Sequence, residues 1–313
     1  PCSYAGGFDV ECGGVRSGCG RLQEYGRVSR MIAGLTEILE DAKRNRRAAG
    51  AFNTVSLESI DAVISAAEQK NVPVIIQHAQ LHEPVIPLDV IGPCMTAAAA
   101  LAAVPVCVHL DHGSDLDYLK HALELGFTSV MYDGSDLGYE TNVANTQACV
   151  EMARCYGADV EAELGRVLRP DAGSDSENDE KSFYTRPDEA RDFVQRTGID
   201  ALAAAFGTAH GIYKTQPHLD FERITQICEA TGVPLVMHGG SGVSDDGFRA
   251  AIAAGVRKIN YFTYMSLAGT DAAREYLDAN PGQIGYENVS AAVRDGMFRH
   301  VLHALDVFSG KTV

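Results

Sequence analysis

Short apolar runs and helix-like stretches alternate along most of the chain. A helical pattern begins near Ser29, with Ile32, Leu35, Ile38 and Leu39 on one face ahead of the basic stretch 43–47. Apolar runs then fall at 51–55, 72–77, 106–110, 129–132, 160–164, 201–205, 235–237 and 256–260. Helical patterns occupy 59–70, 91–103, 115–125, 140–156, 187–197, 221–231 and 245–254 between them, and one more covers about 288–308. Strands separated by helical crossovers run parallel. Eight such units on roughly 250 residues predict an α/β fold, a (β/α)8 TIM barrel with an extra N-terminal helix and a C-terminal helical extension. A doubly wound open sheet is the alternative, weakened because no Gly-x-Gly-x-x-Gly follows the first strand. The Gly-rich segment 1–27 has no apolar period and reads as a flexible extension, leaving 28–313 as a single barrel domain.

Composition narrows the function. The 313 residues include 26 basic and 42 acidic side chains, a net charge of −16. Phosphates would be repelled, so neither nucleic acid nor an acidic membrane is expected as a partner. An anionic substrate would need local donors or a metal. No apolar run approaches the roughly 18 residues of a membrane span, and no signal-like segment opens the sequence. The eight cysteines include no Cys-x-x-Cys pair and read as reduced thiols. A soluble, cytoplasmic protein is expected.

Candidate chemistry gathers where a barrel carries its function, at the C-terminal ends of the strands. Asn53 ends the first run, Gln77-His78 the second, Asp111-His112 the third and Asp133 the fourth. Glu161 and Glu163 lie on the fifth, His210 follows the sixth, His238 to Gly242 the seventh, and Asn260 ends the eighth. A lone histidine after a strand is ordinarily a hydrogen-bonded structural residue. Three on separate strand ends (His112, His210, His238) could converge on one metal with an open fourth position. Strand alternation would send Asp111 and His112 to opposite faces, so both reach one site only if the strand ends there, which Gly113 permits. The run Gly239-Gly240-Ser241-Gly242, followed by a helix after Ser244, suits a phosphate, with an ordinary turn as the competing reading. Asp133 and Glu163 could form a second cation site, hold histidine tautomers, or serve structure alone. His78 and His82 read as solvated loop residues. The acidic stretch 171–180 reads as a solvated loop with room for a lid.

Seven motifs carry a resemblance: AFNT at 51–54, HLDHG at 109–113, YDGS at 132–135, VEAELG at 160–165, GTAHGIYK at 207–214, HGGSG at 238–242 and KINYFT at 258–263. From Ser29 to Phe308 the sequence resembles the class II, metal-dependent ketose-bisphosphate aldolases. The resemblance implies that His112, His210 and His238 bind a catalytic zinc ion, and that Asp111 is the acid/base on the aldol hydroxyl. It implies a second divalent cation at Asp133 and Glu163, and a monovalent cation (Na+ or K+) assisting phosphate binding. Asn53, Gly211, Lys214, Gly239, Gly240, Ser241, Asn260, Phe262 and Thr263 would line the substrate, a small phosphorylated sugar cleaved between C3 and C4. A homodimer or higher homo-oligomer is the expected assembly. A Schiff-base route would use Lys214 or Lys258, the lysines near strand ends, and would leave three histidines unexplained.

Three positions depart from the family pattern. Phe262 stands where fructose-specific members usually carry an acidic residue and tagatose-specific ones alanine. Ala79 stands where serine is common. Arg169-Pro170-Asp171 replaces the usual Gly-Gly-Glu lid, leaving Asp171 as its candidate carboxylate. Two functional classes remain open here, an active zinc aldolase and a non-catalytic partner subunit of the same fold. Asp111 together with all three histidines favours the enzyme.

Overall fold

Each apolar run of three to six residues is too short for a helix and is bounded by polar turns, so it forms a strand that buries both faces. The computed structural model describes residues 31–165, 184–208, 217–282 and 284–310. Within them β1 (Ala49–Asn53), β2 (Val74–Ala79), β3 (Val106–Gly113), β4 (Ser129–Tyr132), β5 (Asp159–Leu164), β6 (Ala201–Ala204), β7 (Leu235–Met237) and β8 (Val256–Tyr261) pair in sequence order, and β8 closes on β1. Every ladder is parallel. This is the closed barrel, not the open sheet. The expectations for residues 1–27, the lid 169–171, the stretch 171–180, His210, Gly211 and Lys214 lie outside the described residues.

Alternation along the strands separates two cores. One lies between strands and helices, where Phe52, Ile76, Leu110 and Leu202 meet the surrounding helices. The other fills the N-terminal half of the barrel interior: Ala49, Ala51, Ile75, Cys107, Ala201, Ala203 and Val236. Helix α1 (Leu35–Arg44) plugs that end with Leu35, Ile38 and Leu39. Each such burial is worth about 1.5–3 kcal/mol. The plug leaves the opposite end as the open mouth.

The crossover helices are α2 (Leu57–Lys70), α3 (Leu88–Leu101), α4 (Leu116–Glu124), α5 (Tyr139–Tyr156), α6 (Pro187–Thr197), α7 (Phe221–Thr231) and α8 (Asp245–Ala254). The C-terminal extension is α10 (Tyr286–Phe308), preceded by α9 (Thr263–Ala279), which the sequence pattern did not reveal. Only Phe262 separates β8 from α9, and its side chain makes no cap, so neither a turn signal nor a capping residue marks the start. Helices α9 and α10 approach through glycine. A Cβ on Gly296 would stand 2.6 Å from the Ala268 carbonyl oxygen.

Cys94, Cys107, Cys149, Cys155 and Cys228 are free thiols, as expected, although Cys155 is exposed rather than buried. No helix among the described residues is long and apolar enough to cross a membrane.

Candidate active site at the barrel mouth

Asp111 sits at the end of β3, 3% exposed, with both carboxylate oxygens engaged. Asn53 on β1 donates from Nδ2 to Oδ2 at 2.9 Å, and Asn260 on β8 donates from Nδ2 to Oδ1 at 2.9 Å. Gln77 on β2 donates to Asn53 Oδ1 at 3.0 Å, which fixes the orientation of that amide. Burial alone would raise the Asp111 pKa. The facing charges of His112, His238 and Lys258 outweigh it and hold the group far below the usual carboxylate range. Asp111 is an oriented anion.

His112 reaches the same mouth by a different device from the one expected. Strand β3 does not stop at Asp111. His112 instead takes a left-handed φ of 46°, and the β3–β4 register shifts between Leu110 and Gly113. Such a conformation costs a branched-free side chain on the order of 1 kcal/mol and turns the ring back over the barrel. Gly113 serves packing instead, since a Cβ there would stand 2.3 Å from Leu119 Cδ1.

Two imidazoles then face one another. His112 Nε2 lies 2.9 Å from His238 Nδ1, immediately after β7. The rear nitrogen of each ring rests on a carboxylate: His112 Nδ1 is 2.7 Å from Asp133 Oδ2, and His238 Nε2 is 2.9 Å from Glu161 Oε1. Asp133 Oδ1 accepts from the Ser135 hydroxyl at 2.7 Å and the Ser135 amide at 3.1 Å, so both its oxygens are occupied. Glu163 Oε2 stands 3.2 Å from His238 Nδ1. Burial lowers the His238 pKa, but its bonds to Glu161 and Glu163 and their charges prevail and push it up to about 10. Burial likewise opposes ionisation of Glu161, yet Lys258 and His238 bring it down to about 2.

Imidazole nitrogens and a carboxylate oxygen converging from β3, β5 and β7 are the donor set that zinc takes. Carboxylates behind the rings are the usual support for such ligands. Asp111, His112 and His238 offer ligand atoms within 4.8 Å of one another, as do His112, Asp133 and Glu163. The residues fit a metal.

The phosphate-type loop follows His238. Gly239 takes a φ of 64°, and a Cβ on Gly240 would stand 2.9 Å from the Asn260 carbonyl oxygen, so this turn presses onto the end of β8. Ser241 Oγ accepts from the Phe262 amide at 3.2 Å, joining the loop to the first turn of α9 at Thr263. Ser244 caps α8 by accepting from the Gly247 amide at 3.2 Å.

Across the mouth, the structure corrects one expectation. His78 and His82 are buried, at 0% and 7% exposure, not solvated. His78 lies within β2, paired in register with Leu110, and a single 3₁₀ turn over Gln80–His82 buries His82. The His82 ring lies 4.9 Å from that of Phe262, tilted by 52°. Burial lowers both pKa values, that of His78 to about 4. Ala79 pairs in register with Asp111 and brings no polar group.

The sequence placed Glu161 and Gln77 near strand ends without giving either a role, and it did not pair Lys258 with Glu161. A signal existed: opposite charges at inward positions of two strands that a barrel must bury on both faces. Lys258, weighed above as a Schiff-base lysine, is fully buried with Nζ 2.7 Å from Glu161 Oε2, beneath the mouth.

Comparison with known proteins places the chain among relatives of one family. The family model described as fructose-bisphosphate aldolase class-II matches residues 33–312. The fructose-bisphosphate aldolase of Geobacillus stearothermophilus is 37% identical over 290 residues, covering 90% of this chain and 98% of that one. The sulfofructosephosphate aldolase of Alkalicoccus urumqiensis is 36% identical over 281 residues, covering 90% and 97%. Among solved structures, the YdjI aldolase of Escherichia coli K12 superposes with a TM-score of 0.80 at 33% identity, covering 89% of this chain and 97% of that one.

Proposed function

The chain belongs to the class II fructose-bisphosphate aldolase family, and on that premise we propose that it reversibly cleaves a phosphorylated ketose into dihydroxyacetone phosphate and an aldehyde at the barrel mouth. It is a carbon–carbon lyase of a family that is zinc-dependent in general. His112 and His238 would hold the ion, with His210 by resemblance, and Glu163 stands beside them. An ion held there would supply Lewis acidity for the ketose carbonyl and for the charge left when C3–C4 breaks. Both oxygens of Asp133 are committed to His112 and Ser135, which supports its role as a support for the ligand over a second cation site.

Asp111 takes the C4 hydroxyl proton on cleavage and returns it on condensation. The Asn53 and Asn260 amides fix its plane, so proton transfer needs no prior search for geometry. Gly239, Gly240 and Ser241 offer backbone N–H groups for the phosphate, facing Asn260–Thr263. Phe262 against His82 walls the aldehyde half with an apolar ring. Relatives named for fructose and for sulfofructose substrates are almost equally similar. The choice of aldehyde therefore turns on this wall.

One observation carries the reading: an anion clamped by two amides beside two imidazoles that are each backed by a carboxylate. The test is condensation of dihydroxyacetone phosphate with a panel of aldehydes, before and after chelation. Product formation that chelation abolishes and zinc restores is the expected result. Full activity after exhaustive chelation, with borohydride trapping of substrate on a lysine, would overturn it.

A further inference from the structure

Beneath the two imidazoles the barrel interior carries a charged layer that the proposed chemistry does not use. Glu161 on β5 and Lys258 on β8 have side chains that are 0% exposed, and their charged ends stand 2.7 Å apart. The other Glu161 oxygen lies 2.9 Å from His238 Nε2. His109 on β3 completes the layer, with Nδ1 2.9 Å from Ser129 Oγ and Nε2 3.8 Å from Glu161 Oε2. Taking two charges out of water is costly, and apolar residues of similar volume would fill this space at least as favourably. Stability alone does not account for the pair.

We propose that Glu161 and Lys258 are positioning residues for the metal. Lys258 occupies Oε2 of Glu161, Oε1 accepts the Nε2 proton of His238, and the Nδ1 lone pair of that ring is left for zinc. The inference rests on His238 being a ligand, as read above.

The chemistry of the partners fixes the direction. A carboxylate only accepts, so Nε2, held against Glu161, keeps its proton when zinc replaces the one on Nδ1 beside Glu163. In a neutral imidazole the other nitrogen is then bare. An ammonium only donates, so Lys258 governs which end of any residue at position 161 turns toward it. In Glu161→Gln the amide oxygen would turn to Lys258 and the NH2 group to His238 Nε2. The ring would then accept at Nε2 and carry its proton on Nδ1. That is the atom 2.9 Å from His112 Nε2 and 3.2 Å from Glu163 Oε2, where the donor set converges. The wrong tautomer would face the metal.

Zinc affinity, read by competition with a chromophoric chelator, tests this in wild type, Glu161→Gln and Glu161→Gln/Lys258→Met. Glu161→Gln should bind zinc about 10–100-fold more weakly, the usual effect of losing a partner behind a ligand. The double variant should recover much of the loss, because its amide oxygen is free to turn to His238. Restored charge balance would also recover affinity, so the imidazole ¹⁵N spectrum separates the two. Zinc-loaded wild type should show His238 protonated at Nε2, and neutral His238 in metal-free Glu161→Gln should carry its proton on Nδ1. Wild-type affinity in Glu161→Gln, or zinc-loaded wild type with the proton on His238 Nδ1, would overturn the proposal. The wild-type spectrum decides the matter even if the variants do not fold. Wild type that takes up no zinc at all would instead overturn the metal site, and with it the proposed function.

Discussion

Replacing Asp111 by Asn keeps the shape of the side chain and removes its basicity. The Asn53 and Asn260 amides each donate to one oxygen of Asp111 at 2.9 Å. An amide at 111 can accept from only one of them, and its own NH2 group would meet a donor. One buried bond is lost, worth about 1.5–3 kcal/mol for a charge-assisted pair. The larger effect is chemical, since an amide cannot take the C4 hydroxyl proton. Loss of a general base lowers kcat by roughly 10²–10⁴, or about 3–5 kcal/mol of barrier. His112 and His238 keep their own carboxylate partners, so zinc stoichiometry and dihydroxyacetone phosphate affinity should change little. Steady-state cleavage, metal analysis and ligand titration on the same preparation separate these effects. Turnover near the wild-type rate, or a defect explained wholly by lost metal, would refute the assignment.

Further outcomes follow from the same geometry. Zinc affinity should rise with pH, by up to about tenfold per unit below pH 10, because His238 must release its proton to bind; a flat profile between pH 6 and 9 would contradict this. Since the folded His238 pKa lies above its ordinary 6.5, its stabilisation of the metal-free protein is complete below about pH 6.5 and lost as pH rises toward 10; chelated protein should lose denaturant resistance over that window. Phe262→Asp should raise kcat/KM for fructose 1,6-bisphosphate about tenfold or more, because a carboxylate accepts a hydroxyl bond and vacates the volume beside His82. Efficient wild-type cleavage of that sugar, unchanged by the substitution, would show that the ring does not limit it. Gly240→Ala places a methyl 2.9 Å from the Asn260 carbonyl oxygen and 3.0 Å from Ile259 Cγ2; a loss of about 1–3 kcal/mol and a raised KM for dihydroxyacetone phosphate should follow, and an unmoved KM would count against a phosphate role for this loop.

Much of the barrel was legible because each strand buries both faces and therefore appears as a continuous apolar run. β4 and β7 fall where the runs do, whereas β1 starts two residues earlier, at Ala49, and β3 extends to Gly113. Ends are less legible because the last inward residue is polar, so the run stops before the ladder does. Asp111 illustrates this, since the third run ends at Leu110 and β3 at Gly113. The left-handed His112 was invisible, since its type favours that conformation only mildly and the accompanying register shift belongs to the pairing of β3 with β4, not to the local sequence. The burial of His78 and His82 was misread for a related reason. His82 is buried by the path of a short turn and by Phe262, and His78 lies beside Tyr118 on a crossover helix; both partners are far away in sequence, and no local pattern encodes those contacts.

A gradient of polarity at inward positions explains why the site forms where it does. On β3 the inward residues run Cys107, His109, Asp111; on β2 Ile75, Gln77, Ala79; on β1 Ala49, Ala51, Asn53. β5 contributes Glu161 then Glu163, and β8 Lys258 then Asn260. Read from the α1 plug outward, the interior passes from an apolar floor to a layer of paired charges, and then to the groups that face the mouth. Each layer restrains the one above. The floor excludes water, so the Glu161–Lys258 pair keeps a single arrangement in a low dielectric. That arrangement orients His238, and the amides of Asn53 and Asn260 orient Asp111 beside it. A motif at one strand end is therefore only the visible top of a column, and its chemistry depends on the residues two and four positions before it.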